Sequence, residues 1–298
     1  LFKINYSSLH QDYESNPASV TTRAWRGGYL PVFFLNFPSL KNKRAFPFSY
    51  SHTTIRKLNN MIALKDIDVW FDVQTDSNGK DPDSASKTLK LYHQALWSKP
   101  LPNGQMMQLE IDKGCLRWDD MWFGCDSITA SFLNGRKPIG NLELLIPDFP
   151  KFKLDYWHHT YTIGGSIIFP MHRWSSMNQA RGCHPRICDR WDLTLECIKR
   201  YYNRQESPLT KAIQKSEDFF NLFVDFKGYV DFFLLQDCVD DNYNVKYYID
   251  NPEFETVFPL PKTLDEYMKW IASQLEFVAK RNKRIQDYCY QNVTGTGN

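Results

Sequence analysis

Apolar positions change their spacing partway along this 298-residue chain. Up to about residue 170 they fall in short runs bounded by Gly and Pro. Residues 29–37 read as a strand ended by Pro38. Residues 66–73 (DIDVWFDV) alternate acid and apolar side chains, the period-two signature of a half-buried strand. Further short strands are predicted at 106–111, 116–123 and 142–146, and one at 161–169 that is interrupted by Gly164 and Gly165 and stopped by Pro170. One segment breaks the series: residues 87–97 place Leu89, Tyr92 and Leu96 on one helical face.

From about residue 187 the period becomes helical. Residues 189–204 carry Trp191, Leu195, Ile198 and Tyr202 on one stripe, with Asp189 as the N-cap. Ser207-Pro208 opens a second helix toward residue 226, because proline suits the first helical position. Residues 229–239 are apolar nearly all round, hence a buried helix or strand, and 243–249 read as a strand. Thr263 and Glu266 have capping-box spacing and start a long helix to about residue 288. Strands first and helices later predict an α+β fold, with a mixed or antiparallel sheet from the N-terminal two-thirds packed against a C-terminal helical part. Residues 1–60 read as a basic, aromatic-rich extension and 61–298 as one domain, strand-rich over 61–170 and helix-rich over 187–290.

Composition supports a packed core: 42% of residues are hydrophobic and 15% aromatic, against 23% charged. No apolar run reaches the roughly eighteen residues a membrane span needs, so no membrane association is expected. The first residues lack a basic stretch followed by an apolar one. Seven scattered cysteines, an odd number, read as reduced thiols and point to a cytoplasmic protein. The net charge of +2 conceals an asymmetry. Residues 1–60 hold eight Lys/Arg against two Asp/Glu, whereas the remainder holds 28 against 32.

That basic start interleaves cations with rings. Arg23, Trp25 and Arg26, then Lys41, Lys43 and Arg44 among Phe46, Phe48 and Tyr50, are the residue types that neutralise phosphates and stack bases. A β-segment with rings inward and cations in water accounts for the same pattern. Gly164-Gly165-Ser166 allows close backbone approach, but a strand rather than a helix follows, against a phosphate cradle and for a β-bulge.

The strongest chemical neighbourhood spans 178–192. Arg181 beside Gly182, with Arg190 at the helix start, suits phosphate or carboxylate binding. On the following helix Asp189, Asp192, Glu196 and Arg200 share one face. They can handle a proton or a divalent cation, or form a solvated ion-pair ladder. His159 and His172 belong to a group of four histidines within 27 residues that can supply a base. Cys183, His184 and Cys188 supply three zinc-type ligands with no fourth, so no metal site is assigned. A Ser or Cys nucleophile working with one of these histidines stays open, although no GxSxG elbow is present. Asp237, ending an apolar run, reads as a raised carboxylate or as a hydrogen-bonded helix end.

The stretches Lys80-Asp81-Pro82-Asp83, LYHQALWSKPLP at 91–102, YTIGG at 161–165, residues 178–182, DRWDLTLECI at 189–198 and KGYVDFFLLQD at 227–237 together resemble an uncharacterised bacterial domain family of unknown function, over roughly 66–285. The resemblance implies a bacterial, cytosolic protein and brings no catalytic residue with it. Three functions follow as expectations. The first is an enzyme or effector acting on nucleic acid or a nucleotide, with Arg181, Gly182 and Arg190 gripping phosphate and Asp189, Asp192, His159 or His172 doing acid–base or metal chemistry. The second is a non-catalytic module that binds a protein partner or forms a homo-oligomer. The third is a small-molecule enzyme with a His or Asp base.

Overall fold

A computed structural model describes residues 62–129, 142–171, 177–249 and 254–294. The expectations for Arg23, Trp25, Arg26, Lys41, Lys43, Arg44 and His172, and the strand at 29–37, fall outside these residues. The described fold is α+β. Its sheet has four antiparallel strands in sequential order: β1 (Glu110–Asp112), β2 (Cys115–Trp118), β3 (Met121–Ser127) and β4 (Ser166–Pro170). The first three form a meander, and β4 returns from a distant segment to pair Phe123 with Pro170 and Ser127 with Ser166.

β4 is buried at every position, as an apolar strand covered on both faces must be. Phe123 of β3 meets Phe219 at 5.7 Å, and Phe169 of β4 meets Trp191 at 6.4 Å between ring centroids. Behind them, the helices Glu217–Asn221 and Phe226–Phe232 close a ring cluster. In it Phe223, Tyr229, Phe232 and Phe233 pack mostly tilted or edge-on, the arrangement that ring quadrupoles favour. Much of the aromatic excess in the composition is spent here.

The helix Lys87–Trp97 has its predicted bounds, and Ser86 caps it by accepting the Leu89 N–H at 3.0 Å. The capping box is also formed: Thr263 Oγ1 accepts the Glu266 N–H while the Glu266 carboxylate accepts that of Thr263. The helix it opens, Leu264–Thr294, packs along the helix Phe149–Thr160 and the Gly164–Gly165 turn. That turn is one of 3-10 type over Ile163–Gly165, not a bulge. A Cβ on Gly164 would lie 2.3 Å from Asn282 Oδ1, and one on Gly165 would lie 1.8 Å from the Thr160 carbonyl oxygen. The paired glycines therefore serve backbone packing.

Four predicted elements take another form. Residues 66–73 make turns rather than a strand, because the Asp68 and Asp72 carboxylates capture the N–H groups of Trp70 and Gln74 that a ladder would need. Leu142–Leu145 is a single helical turn. The segment after Ser207 breaks into Thr210–Gln214 and Glu217–Asn221. Residues 243–249 contribute one isolated bridge, Val245 to Val239.

Candidate functional site

A strand, a short helix and the turn after it bring charge together beside β3. Arg181 lies in the helix Met177–Cys183 and is fully buried. Its Nη1 pairs with Asp126 Oδ2 at 2.5 Å and with Asp189 Oδ1 at 2.8 Å. Its other contacts are the Asp189 carbonyl, the Ser127 carbonyl and Thr194 Oγ1. Asp126 belongs to β3. One hydrogen bond further out, Asp83 accepts the Ser127 N–H at 2.9 Å. The side chains of Asp126 and Asp189 keep 22% and 15% of their exposure, whereas that of Arg181 keeps none.

A left-handed turn places Asp189 there. Cys188 and Asp189 both adopt left-handed conformations, at φ 53 and 63, just before the helix Trp191–Tyr202. Asp189 is thus not the helix cap that its position implied; Arg190 occupies that place without a side-chain cap. The turn aims the Asp189 carboxylate back at Arg181.

One cation faces several acids here, and the acidities follow from that count. Burial pushes the Asp126 carboxyl up to about 6; Arg181 opposes the rise and Asp189 adds to it. Burial and the charge of Asp126 push Asp83 well above its ordinary value. The Arg181 guanidinium is in turn held charged against burial by Asp189 and Asp126. These directions agree, because a single guanidinium served by several carboxylates is stabilised while the carboxylates are not fully compensated.

The other expected site residues separate from this cluster. Arg190 and Asp192, both 1% exposed, bind each other through Nε–Oδ1 at 3.0 Å and Nη2–Oδ2 at 2.5 Å. The Arg190 Nη1 donates to the Pro259 carbonyl, and Asp192 accepts the Leu193 and Tyr248 N–H groups. This pair is internally saturated and offers neither a free guanidinium for phosphate nor a solvent-facing base. Glu196 and Arg200 form the i,i+4 ladder at 3.1 Å without Asp192. Gly182 lies beside Arg181 with open space at its Cα. His159 is half-buried on the helix Phe149–Thr160 and bonds to the Asp155 carbonyl. Arg181 itself points inward, away from any anion in solution.

The zinc-type triad does not assemble. His184 Nδ1 accepts the Arg186 N–H and the Cys188 thiol donates to the Pro185 carbonyl. Among the described residues no group of three or more His, Cys, Asp or Glu side chains is arranged to hold a metal ion. Asp237 is paired with Arg284 through both carboxylate oxygens at 2.9 Å.

A buried Ser–His contact does occur, between His93 Nε2 and Ser166 Oγ at 3.0 Å. Its polarity is wrong for nucleophile activation. His93 Nδ1 accepts the Trp97 indole N–H at 2.8 Å, so the ring proton sits on Nε2 and is donated to the serine. Burial drives the His93 pKa down to about 3, which keeps the ring neutral. This is a core hydrogen-bond chain. Next to it, Arg281 spends its guanidinium on the carbonyls of Phe233, Gly164 and Ser166.

Of the site residues read from sequence, Arg181 and Asp189 are brought together; Asp126 and Asp83 are additions. Neither carries a local signal that reveals a partner 55 residues away in sequence, as Asp126 is from Arg181. A family model described as a family of unknown function (DUF6994) matches residues 67–285. No curated protein and no solved structure matches the chain.

Proposed function

Because the chain belongs to this family of unknown function, its chemistry has to be read from its own side chains, and we propose that it is a small-molecule enzyme working by carboxylate acid–base chemistry. The pairing of Asp126 and Asp189 with one buried guanidinium, with Asp83 one hydrogen bond further out, carries the proposal. Carboxylates whose surroundings push their pKa values to different heights divide acid and base roles at one pH. Asp126, at about 6, is largely ionised at neutral pH yet basic enough to accept a proton. The Asp83 carboxyl is raised as well, by burial and by the charge of Asp126. Arg181 is a positioning residue: it fixes both partner carboxylates and spends no donor on solvent.

The sign of the local charge argues for the substrate class. A cluster with more carboxylates than cations repels phosphate, so a neutral or amine-bearing small molecule fits it better than a nucleotide. The test is a screen of neutral, cationic and anionic metabolites for thermal stabilisation and turnover, repeated with Asp126→Asn. The expected result is a neutral or cationic hit whose turnover drops by roughly a hundredfold or more in that variant. Turnover indifferent to Asp126→Asn, or an Asp126 carboxyl that titrates by NMR near the ordinary aspartate value, overturns the reading and leaves the cluster as a structural clamp.

A second reading rests on the eight Lys/Arg against two Asp/Glu of residues 1–60. We propose nucleic-acid contact through Arg23, Trp25, Arg26, Lys41, Lys43 and Arg44, which requires binding that weakens steeply with salt and is abolished by removing those cations.

A further inference from the structure

Lys99 carries a half-buried amine that forms no ion pair among the described residues. Its Nζ donates to the Phe232 carbonyl at 2.7 Å and lies over three rings: Tyr288 at 4.5 Å, Phe232 at 4.6 Å and Trp97 at 4.9 Å. The same residue lines an open groove of about 620 Å³, walled by Pro102, Phe223, Phe232 and Tyr288. Gly228 keeps that wall tight, since a Cβ there would sit 2.1 Å from the Phe223 carbonyl oxygen and 3.2 Å from Pro102.

The charged groups around the groove leave the amine uncompensated. Asp231 is engaged by Lys227, Gln236 and Tyr243, and Asp225 caps its own helix by accepting the Gly228 N–H. From the long final helix, Arg281 opposes the ammonium and Cys289 favours it. Burial among the rings, aided by the Arg281 charge, brings the Lys99 pKa down to about 7. The three ring faces favour the ammonium, whereas desolvation and the Arg281 charge favour the free amine.

We propose that Lys99 is a reactive amine and that its groove takes a small carbonyl compound with an apolar or aromatic substituent, bound covalently as an imine. The Nζ lone pair attacks the carbonyl carbon to form a carbinolamine. The carbonyl oxygen then leaves with both amine protons as one water molecule, and a C=N bond remains; no oxidant or reductant is consumed. An amine with a lowered pKa in an apolar site is the ordinary way a lysine becomes nucleophilic near neutrality. The ring-lined walls fit an aromatic aldehyde or ketone, and no step involves Asp126 or Arg181.

The experiment traps the imine. The protein is incubated with benzaldehyde and sodium cyanoborohydride across a range of pH, and each lysine is followed by peptide mapping. The expected result is that Lys99 is modified faster than the exposed Lys65 and Lys113 by roughly tenfold or more near neutral pH, because ordinary lysines are almost wholly protonated there. Its rate should rise through about pH 7 and then level off. Lys99→Arg, which keeps a cation over the rings, should remove this fast phase. Equal rates at Lys99 and the exposed lysines, or a Lys99 rate still climbing in the ordinary lysine range, overturns the proposal. The site-resolved pH profile of the unaltered protein decides the matter even where the variant folds poorly.

Discussion

Replacing Arg181 with Met is the most direct probe of the carboxylate cluster. The substitution keeps an unbranched apolar stem in a fully buried position but deletes the cation shared by Asp126 and Asp189. Removing one partner of a buried ionic group costs about 3–5 kcal/mol, since the remaining charge loses its compensation. Part of that cost must depend on pH. The folded Asp126 pKa of about 6 lies above its ordinary value of 3.8, so the folded state binds the proton more tightly than the unfolded state. This group therefore contributes stability that is fully present below 3.8 and is lost as pH rises through about 6, to the extent of about 3 kcal/mol. Without Arg181, which lowers that pKa, the window widens and moves upward. Urea unfolding of both proteins at about pH 5 and pH 7.5 should give a deficit clearly larger at the higher pH. The lost bonds to the Ser127 and Asp189 carbonyls supply a pH-independent remainder of about 1–2 kcal/mol. A deficit of the same size at both pH values would refute the uncompensated-carboxylate account.

Two further outcomes follow from the packing. Gly165→Ala should destabilise by about 3 kcal/mol in denaturant unfolding, because its Cβ would meet the Thr160 carbonyl at 1.8 Å, while Gly182→Ala, with nothing within 4 Å, should be neutral or slightly stabilising. Arg190→Met should cost about 3–5 kcal/mol by leaving Asp192 buried and unpaired. The double variant Arg190→Met with Asp192→Asn should be more stable than Arg190→Met alone, and simple addition of the two losses would show that the pair is not coupled.

The helices were the most legible part of the fold in the sequence. Leu89, Tyr92 and Leu96 marked the helix Lys87–Trp97, and the Thr263–Glu266 spacing marked the start of the long helix, because periodicity and capping use neighbours within four residues. Residues 66–73 misled for the same local reason in reverse: alternation predicts a strand only when the backbone N–H groups remain available to a partner, and Asp68 and Asp72 take them. The arginine-flanked helix start at 181–192 was also visible as a concentration of charge.

Which charges meet was decided by tertiary structure. Arg181, Arg190 and Asp192 look alike in sequence, as polar groups at a helix entrance. In the folded chain Arg190 turns to Asp192 two residues on, and Arg181 reaches Asp126 on a strand 55 residues away. The lysine at the groove looks equally ordinary among its neighbours in sequence; Phe232 and Tyr288 come to it from distant helices. Sequence determines which groups can ionise and where helical turns begin, because both are properties of short segments. A pKa, an exposed carboxylate or an uncompensated amine depends on the distances between groups far apart in the chain, and those exist only once the sheet and helices have packed.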